Sequence, residues 1–301
     1  MIVLITINYN DFGTTSKFLN SIKDYSEIDH VVVVDNASSD KSFERLLVFQ
    51  NEKIHVIKQN CNNGYAGGNN FGIRYAVKLW NVDYFIISNP DVFFSNNTIR
   101  NLIDVMRQHE DLALCSAVMR YDNGRVFTNF ASRLPKYIDL ISGCFLGLVQ
   151  LRNKIFHRSE FPEYDKIRCM GVYYTDVVPG SFFLADRKKF EEVGFFDERT
   201  FLYYEENILA LKLKKAGYRE AIVTGESYKH LHSVTISKNI QSRMKKDKIM
   251  YDSAIIFLKT MDVNLFFLSL FKFAYWIGFP ERLFFLFVRK LVHEKVSKKE
   301  L

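Results

Sequence analysis

Three features of the 301-residue sequence predict an α/β fold, with a mostly parallel sheet flanked by helices and a helical appendage at the C-terminus. Short β-branched runs alternate with amphipathic helical stretches through the first third. The connections between them are only a few residues long. From about residue 250 the chain becomes apolar and aromatic, with no strand pattern.

The elements follow in order. Ile2–Ile7 is a continuous apolar run and reads as a buried strand. Thr14–Tyr25 carries Phe18, Leu19 and Ile22 at helical spacing. Val31–Val34 is a second buried strand, and Ser39 or Asp40 can cap a helix over Phe43–Phe49. Ile54–Ile57 and Tyr84–Ser88 are further strands, separated by a helix over Asn69–Leu79. The helix at Thr98–Gln108 puts Ile99, Leu102, Ile103 and Met106 on one face, and Leu112–Met119 closes the series. Strand–helix alternation with short connections implies parallel strands covered on both faces. Residues 121–178 have no clear order. Beyond them Val178–Ala185 reads as a strand, Arg187–Val193 and Tyr204–Ala216 as helices, and Ala221–Thr224 as a strand running on toward His230 and His232. Two domains are expected: 1–240, with a change of pattern at 119/120, and a helical tail, 241–301.

Composition narrows the function classes. Hydrophobic residues are 48% and charged residues 25%, the balance of a folded globular protein. The four cysteines stand singly, without zinc or redox spacing, and Met1–Asp11 lacks the basic start and cleavage site of a signal peptide. Together these favour the cytoplasm. The net charge of +7 lies wholly in Lys238–Leu301, which holds 13 Lys+Arg against 6 Asp+Glu. A nucleic-acid binder carries its basic surface on the folded domain, so nucleic acid is not expected as a partner. The tail joins the aromatic run Leu265–Phe279 to a basic end. That run is shorter than the roughly 20 residues that cross a bilayer, which suits a peripheral helical hairpin on an anionic membrane surface; a helical pair packed on the domain is the other reading.

Ligands of open α/β sheets bind past the C-terminal ends of the strands, and polar motifs stand at those ends. Asp35-Asn36-Ala37-Ser38 follows the second strand and serves either as a turn and helix cap or as a base or ribose contact. Asn60–Asn70, with three glycines, lets backbone approach a phosphate or sugar, but is neither a dinucleotide fingerprint nor a P-loop. Asn89-Pro90-Asp91 offers one fixed carboxylate, suited to a divalent cation on a diphosphate or to a simple Asx-Pro turn. Glu205-Glu206 opens a helix behind Tyr203-Tyr204, where one acid can act as a general base or both can serve the helix dipole. His230 and His232, two apart on an extended segment, face one side.

The order of these motifs, from Asn8-Tyr9-Asn10 through Asp35–Asp40, Asn63–Asn69 and Asn89-Pro90-Asp91 to Gly180–Leu184, Gly194–Asp197, Tyr204-Glu205-Glu206 and His230–Ser233, resembles the family 2 glycosyltransferases of GT-A fold. The likeness covers residues 1 to about 240 and implies a nucleotide-sugar-binding half, 1–119, and an acceptor-binding half, 120–240. It is closest to bacterial enzymes of O-antigen and capsule synthesis, the rhamnosyltransferase-like branch included.

The resemblance implies that Thr6, Asn8, Asp35, Asn36, Ser38, Asn63 and Asn89 line a nucleotide-sugar pocket, with Asp35 on a uracil or thymine ring and Gly67 and Asn69 beside the ribose and diphosphate. Asp91 becomes a ligand for Mg2+ or Mn2+, completed by His232 or His230. Asn89 replaces the first acid of the family's D-x-D motif. Glu206 aligns with the catalytic base, with Glu205 beside it, and Gly180, Ser181 and Tyr204 border the acceptor. The reaction implied is inverting transfer from a dTDP- or UDP-linked sugar, dTDP-rhamnose being one candidate. The acceptor implied is a polyprenyl-diphosphate-linked glycan at the inner face of the cell membrane. A nucleotidyltransferase would open with a Gly-rich basic loop, which Asn8–Phe12 is not. A non-catalytic sugar-nucleotide-binding or scaffold protein is the remaining rival.

Overall fold

The computed structural model describes residues 1–145, 162–231 and 242–282. Packing divides the chain into two compact units, Met1–Leu134 with Phe161–Ser253, and Pro135–Glu160 with Ala254–Leu301.

The first unit is built on one sheet. Strands β1 (Ile2–Asn8), β2 (His30–Asp35), β3 (Ile54–Lys58) and β4 (Tyr84–Ser88) run parallel in the order β3-β2-β1-β4. Their central residues, Val31–Val34 above all, are fully buried, as a strand covered on both faces requires. The other half of the sheet is mixed. It consists of β5 (Val92–Phe93), β6 (Leu112–Arg120), β7 (Val172–Thr175), β8 (Phe182–Asp186) and β9 (Arg219–His230). Strand β8 inserts antiparallel between β4 and β6, β9 lies parallel to β6, and β5 and β7 pair antiparallel with β9. The expected α/β class is present, with parallel order concentrated in the first four strands. Strand β6, expected to close the series, is interior.

Helices cover this sheet: α1 (Phe12–Ile22), α2 (Ser42–Leu46), α3 (Gly64–Leu79) and α4 (Asn96–Gln108). The serine N-cap of α4, Ser95, accepts from the Thr98 amide at 3.0 Å, the usual way an orphan helix donor is satisfied. Helix α3 begins five residues before the expected start and takes in the glycine-rich run. A Cβ on Gly68 would stand 2.7 Å from Ile7 Cδ1, and one on Gly72 2.7 Å from Ile5 Cγ2. Close seating on β1 and β2 therefore outweighs the low helix propensity of glycine.

In the second unit, α5 (Tyr137–Gly143) meets α10 (Leu265–Ile277), and the Tyr137 hydroxyl donates to the Phe267 carbonyl at 2.6 Å. Arg282 donates to the carbonyls of Cys144 and Tyr275. Helix α10 buries Leu268, Phe271 and Ala274 and exposes Leu265, Phe266, Phe273 and Trp276. Among the described residues no helix is long and apolar enough to cross a membrane. The remaining α-helices among the described residues are α6 (Tyr164–Ile167), α7 (Arg187–Glu192), α8 (Glu205–Lys215) and α9 (Arg243–Thr260).

Candidate active site

The parallel register sets Asn8, the last residue of β1, beside Asp35, the last of β2. Asn8 Nδ2 donates to Asp35 Oδ2 at 2.9 Å and to Ser38 Oγ at 3.1 Å, while Asn8 Oδ1 accepts from Thr15 Oγ1 at 2.8 Å. The Ser38 amide donates to Asp35 Oδ1 at 2.9 Å. Asn36 reaches the next loop, its Nδ2 donating to Asn62 Oδ1 at 2.9 Å and to the Gly64 carbonyl at 3.0 Å. This edge is a closed network, with Asn8 and Asp35 fully buried. Both oxygens of Asp35 already accept, so a base contact has to use their remaining lone pairs. Thr6, one turn of the pleat back along β1, is buried with its Oγ1 unpartnered among the described residues.

Gly67 and Asn69, expected beside the ribose and diphosphate, lie inside α3. A Cβ on Gly67 would stand 2.6 Å from Asn63 Cβ, and Asn69 donates back to the Tyr65 carbonyl at 3.1 Å. Asn63 itself donates to Gln59 Oε1 at 2.6 Å. The missing side chain of Gly67 thus lets the Asn63 turn close. Gly64 has a different constraint: its φ is +72°, and a Cβ would meet the Phe201 carbonyl oxygen at 2.0 Å.

The antiparallel strands gather the next group. Because β8 runs against β4, the residue preceding β8, Ser181, stands at the C-terminal end of β4, and its carbonyl accepts from the Asn89 amide at 2.8 Å. The β5–β9 ladder pairs Val92 with His230 and so brings His230 Nε2 to 3.3 Å from Asp91 Oδ1. A three-residue bulge at Thr224–Glu226 shifts the β6–β9 register just before this point. Its Glu226 is held by Thr98 and Asn101 of α4 at 2.7 and 2.6 Å. Buried Tyr228 sits 2.8 Å from Ser181 Oγ, hydroxyl to hydroxyl. Burial raises the Tyr228 pKa, and the charge of Asp91 adds to the effect. Val178–Ser181, expected as the start of a strand, precedes β8 and is tied by the Glu220 and Tyr228 side chains and the Asn89 amide instead of by a ladder.

The third group is acidic. Helix α8 starts at Glu205 after two successive tyrosines with left-handed backbone, Tyr203 at φ 75° and Tyr204 at φ 66°. Each such residue costs about 1–2 kcal/mol, and the surroundings hold the turn in place. The Tyr65 amide donates to the Phe201 carbonyl at 2.9 Å, and Ser253 donates to the Leu202 carbonyl at 2.9 Å. Asn70 clasps both backbone groups of Phe196. Glu205 is buried with Oε1 unpartnered among the described residues, and burial together with Glu206 raises its pKa well above the usual carboxylate range. Glu206 is only partly covered, and burial raises its pKa as well. A Cβ on Gly180 would lie 3.6 Å from the Tyr65 hydroxyl, 3.7 Å from the Glu206 carboxyl carbon and 3.8 Å from Glu206 Oε1. Tyr65 donates to the Gly180 carbonyl. The Asp91 and Glu206 groups are thereby joined through the consecutive residues Gly180 and Ser181.

The sequence model described as Glycosyl transferase family 2 matches residues 3–194. The chain belongs to that family. Among relatives, the low-salt glycan biosynthesis hexosyltransferase Agl10 of Haloferax volcanii is 26% identical over 67% of this chain and 58% of its own length. This chain therefore spans less than two thirds of that relative. The N-acetylglucosaminyl-diphospho-decaprenol L-rhamnosyltransferase of Mycobacterium tuberculosis is 26% identical over 75% of each chain. In fold, the chain is similar to the mannosyltransferase PcManGT of Pyrobaculum calidifontis, solved with GDP-Man and Mn2+. That likeness has a TM-score of 0.53 at 15% identity and covers 91% of this chain and 73% of that one.

In this family 2 chain, then, Asn8, Asp35, Asn36 and Ser38 form one cluster. Asn89, Asp91, Ser181 and His230 form a second, and Gly180, Glu205 and Glu206 a third, with Tyr204 contributing the backbone turn. His232 lies outside the described residues. The donor chemistry at Asp91, one carboxylate and one imidazole, fits a divalent cation, which these two side chains would hold only in part. Among the described residues no three His, Cys, Asp or Glu side chains converge on a metal position. Sequence reasoning missed Tyr65, Asn70, Tyr228 and Glu220. Tyr65 and Asn70 lie within the quoted Asn60–Asn70 motif but were hidden by its glycines. Glu220 is the second residue of β9 and Tyr228 the third from its end, and neither belongs to a motif that follows a strand.

Proposed function

We propose that the chain is an inverting glycosyltransferase. It moves a sugar from a dTDP- or UDP-linked donor to a hydroxyl of a lipid-linked glycan in surface polysaccharide synthesis. The observation that supports this reading is the continuity from Asp91 through Ser181 and Gly180 to Glu206: two carboxylates border one short stretch of wall, and in this reading Asp91 serves the diphosphate and Glu206 is the base. Glu206 takes the acceptor hydroxyl proton while that oxygen attacks the anomeric carbon. The bond to the diphosphate breaks in the same step, and a single displacement inverts the centre. Asp91 and His230 would hold Mg2+ or Mn2+, which when bound offsets the charge of the departing nucleoside diphosphate. The closed Asn8–Asp35–Ser38 network positions the nucleotide edge, and Gly180, Ser181 and Tyr204 border the acceptor.

The rhamnosyltransferase relative is named for a diphospho-decaprenol-linked acceptor, and a lipid-linked acceptor suits this chain too. Helix α10 exposes an aromatic face that includes Phe266, Phe273 and Trp276. The sequence continues into a basic end, the combination that seats a protein on anionic lipid. Activity then lies at the inner face of the membrane.

The test incubates the protein with UDP- and dTDP-sugars, a polyprenyl-diphosphate-linked glycan and Mn2+ or Mg2+. The expected result is acceptor-dependent release of nucleoside diphosphate, abolished by excess EDTA. Donor binding without turnover under all these conditions points to the non-catalytic reading.

A further inference from the structure

The segment from Asp176 to Ser181 is held at almost every residue. Asp176 accepts from the Leu134 amide at 3.2 Å and from Lys214 at 2.8 Å. Val177 exchanges two backbone bonds with Ser132. Gly180 and Ser181 are held by Tyr65, Tyr228 and Asn89. Between these ties, the Val178 amide donates to Glu220 Oε2 at 2.7 Å. Pro179 has no amide to contribute, so Glu220 is the last fastening before Gly180. Glu220 comes from the start of β9, is 3% exposed, and leaves Oε1 unpartnered among the described residues.

We infer that Glu220 is a positioning residue: by holding the Val178 amide it sets the distance between the Gly180 wall and the Glu206 carboxylate. The inference rests on the glycosyltransferase reading for its consequence, though not for its geometry. Burial, with Asp176 and Glu206 adding negative charge nearby, raises the Glu220 pKa well above the carboxylate range, so the neutral acid is the favoured form. Glu205, buried beside Glu206, is likewise shifted toward its neutral form. Of the three glutamates, Glu206 is the one with partial solvent access, and burial raises its pKa too.

Two substitutions separate positioning from charge. Glu220→Gln retains a carbonyl for the Val178 amide, whereas Glu220→Met retains the volume and loses the acceptor. Expected are transfer by the Gln variant within twofold of wild type, with the acidic limb of its pH–rate profile unmoved. The Met variant should lose at least tenfold in kcat at unchanged donor Kd. Amide hydrogen exchange at Val178 is expected to be slow in wild type and Gln and fast in Met. A Met variant that transfers like wild type overturns the inference. So does a Gln variant as slow as Met, or one whose acidic limb moves downward, because either result assigns Glu220 a charge. If the Met variant does not fold, the Gln variant's rate, acidic limb and Val178 exchange decide alone. If wild type itself transfers no sugar, the functional reading fails, and Val178 exchange still decides the positioning claim: fast exchange in folded wild type, or exchange as slow in the Met variant as in wild type, refutes it.

Discussion

The two sides of the site are built in opposite ways. At the ends of β1 and β2, Asn8, Asp35 and Ser38 hold one another in a network in which each Asp35 oxygen has a donor. At the start of α8, two glutamates follow a left-handed tyrosine pair, and Glu205 keeps a buried oxygen that is unpartnered among the described residues, as Glu220 does across the wall. The first side is stable as it stands. The second stores strain and desolvated acids that a purely structural helix start would have no reason to keep. Satisfied polar groups fix a shape, and unsatisfied titratable ones mark chemistry.

Substitutions on each side sharpen this contrast. The largest stability effect is expected on the satisfied side. Asp35→Ala takes one of two acceptors from the buried Asn8 amide and the acceptor from the half-buried Ser38 N–H, at a cost of about 2 kcal/mol, read as a lowered midpoint in urea. If that midpoint does not move, the network is not what holds the edge. Next comes Gly180→Ala. Every contact of the new methyl is 3.6 Å or longer, so the fold tolerates it, with stability unchanged or raised by about 0.4–1 kcal/mol. The methyl takes space beside Glu206, and transfer to the acceptor is expected to fall about tenfold, equivalent to about 1.4 kcal/mol, while donor affinity is kept. Equal losses of donor binding and transfer would instead locate Gly180 on the donor side.

The smallest effect belongs to Glu205→Gln. Because the folded chain raises the Glu205 pKa, the folded state holds that proton more tightly than the unfolded one. Stability therefore declines as pH rises from the ordinary glutamate pKa toward the raised one. Glutamine does not titrate, so the variant is expected to melt about 2 °C higher than wild type at pH 8, with the gain vanishing near pH 4. A gain of the same size at both pH values would show that ionisation is not its source.

Much of this was legible from local pattern. Val31–Val34 and its neighbours could only be buried strands, strand-end logic picked out Asp35 and Asn89-Pro90-Asp91, and the helix start at Glu205-Glu206 was marked by its two acids, with the family resemblance choosing Glu206. What escaped depends on distant partners. The Gly64–Gly68 stretch looks like a loop until β1 and β2 are laid against it. Val178–Ser181 has the composition of a strand, yet Pro179 and the Glu220 bond delay β8 to Phe182. The union of His230 with Asp91 depends on a two-residue strand after a bulge, which no periodicity announces. Glu220 stands between Arg219 and the apolar run Ala221–Val223, and only the fold shows what its carboxyl holds.

The most direct test compares donor binding and sugar transfer in wild type and Glu206→Gln. Glutamine keeps the size and removes the base, so donor affinity within twofold of wild type is expected, with transfer reduced about 10²–10⁴-fold. Wild-type transfer should rise with pH through a limb above the usual glutamate pKa, in keeping with the raised value at Glu206. A Glu206→Gln protein that transfers sugar at the wild-type rate would contradict the account.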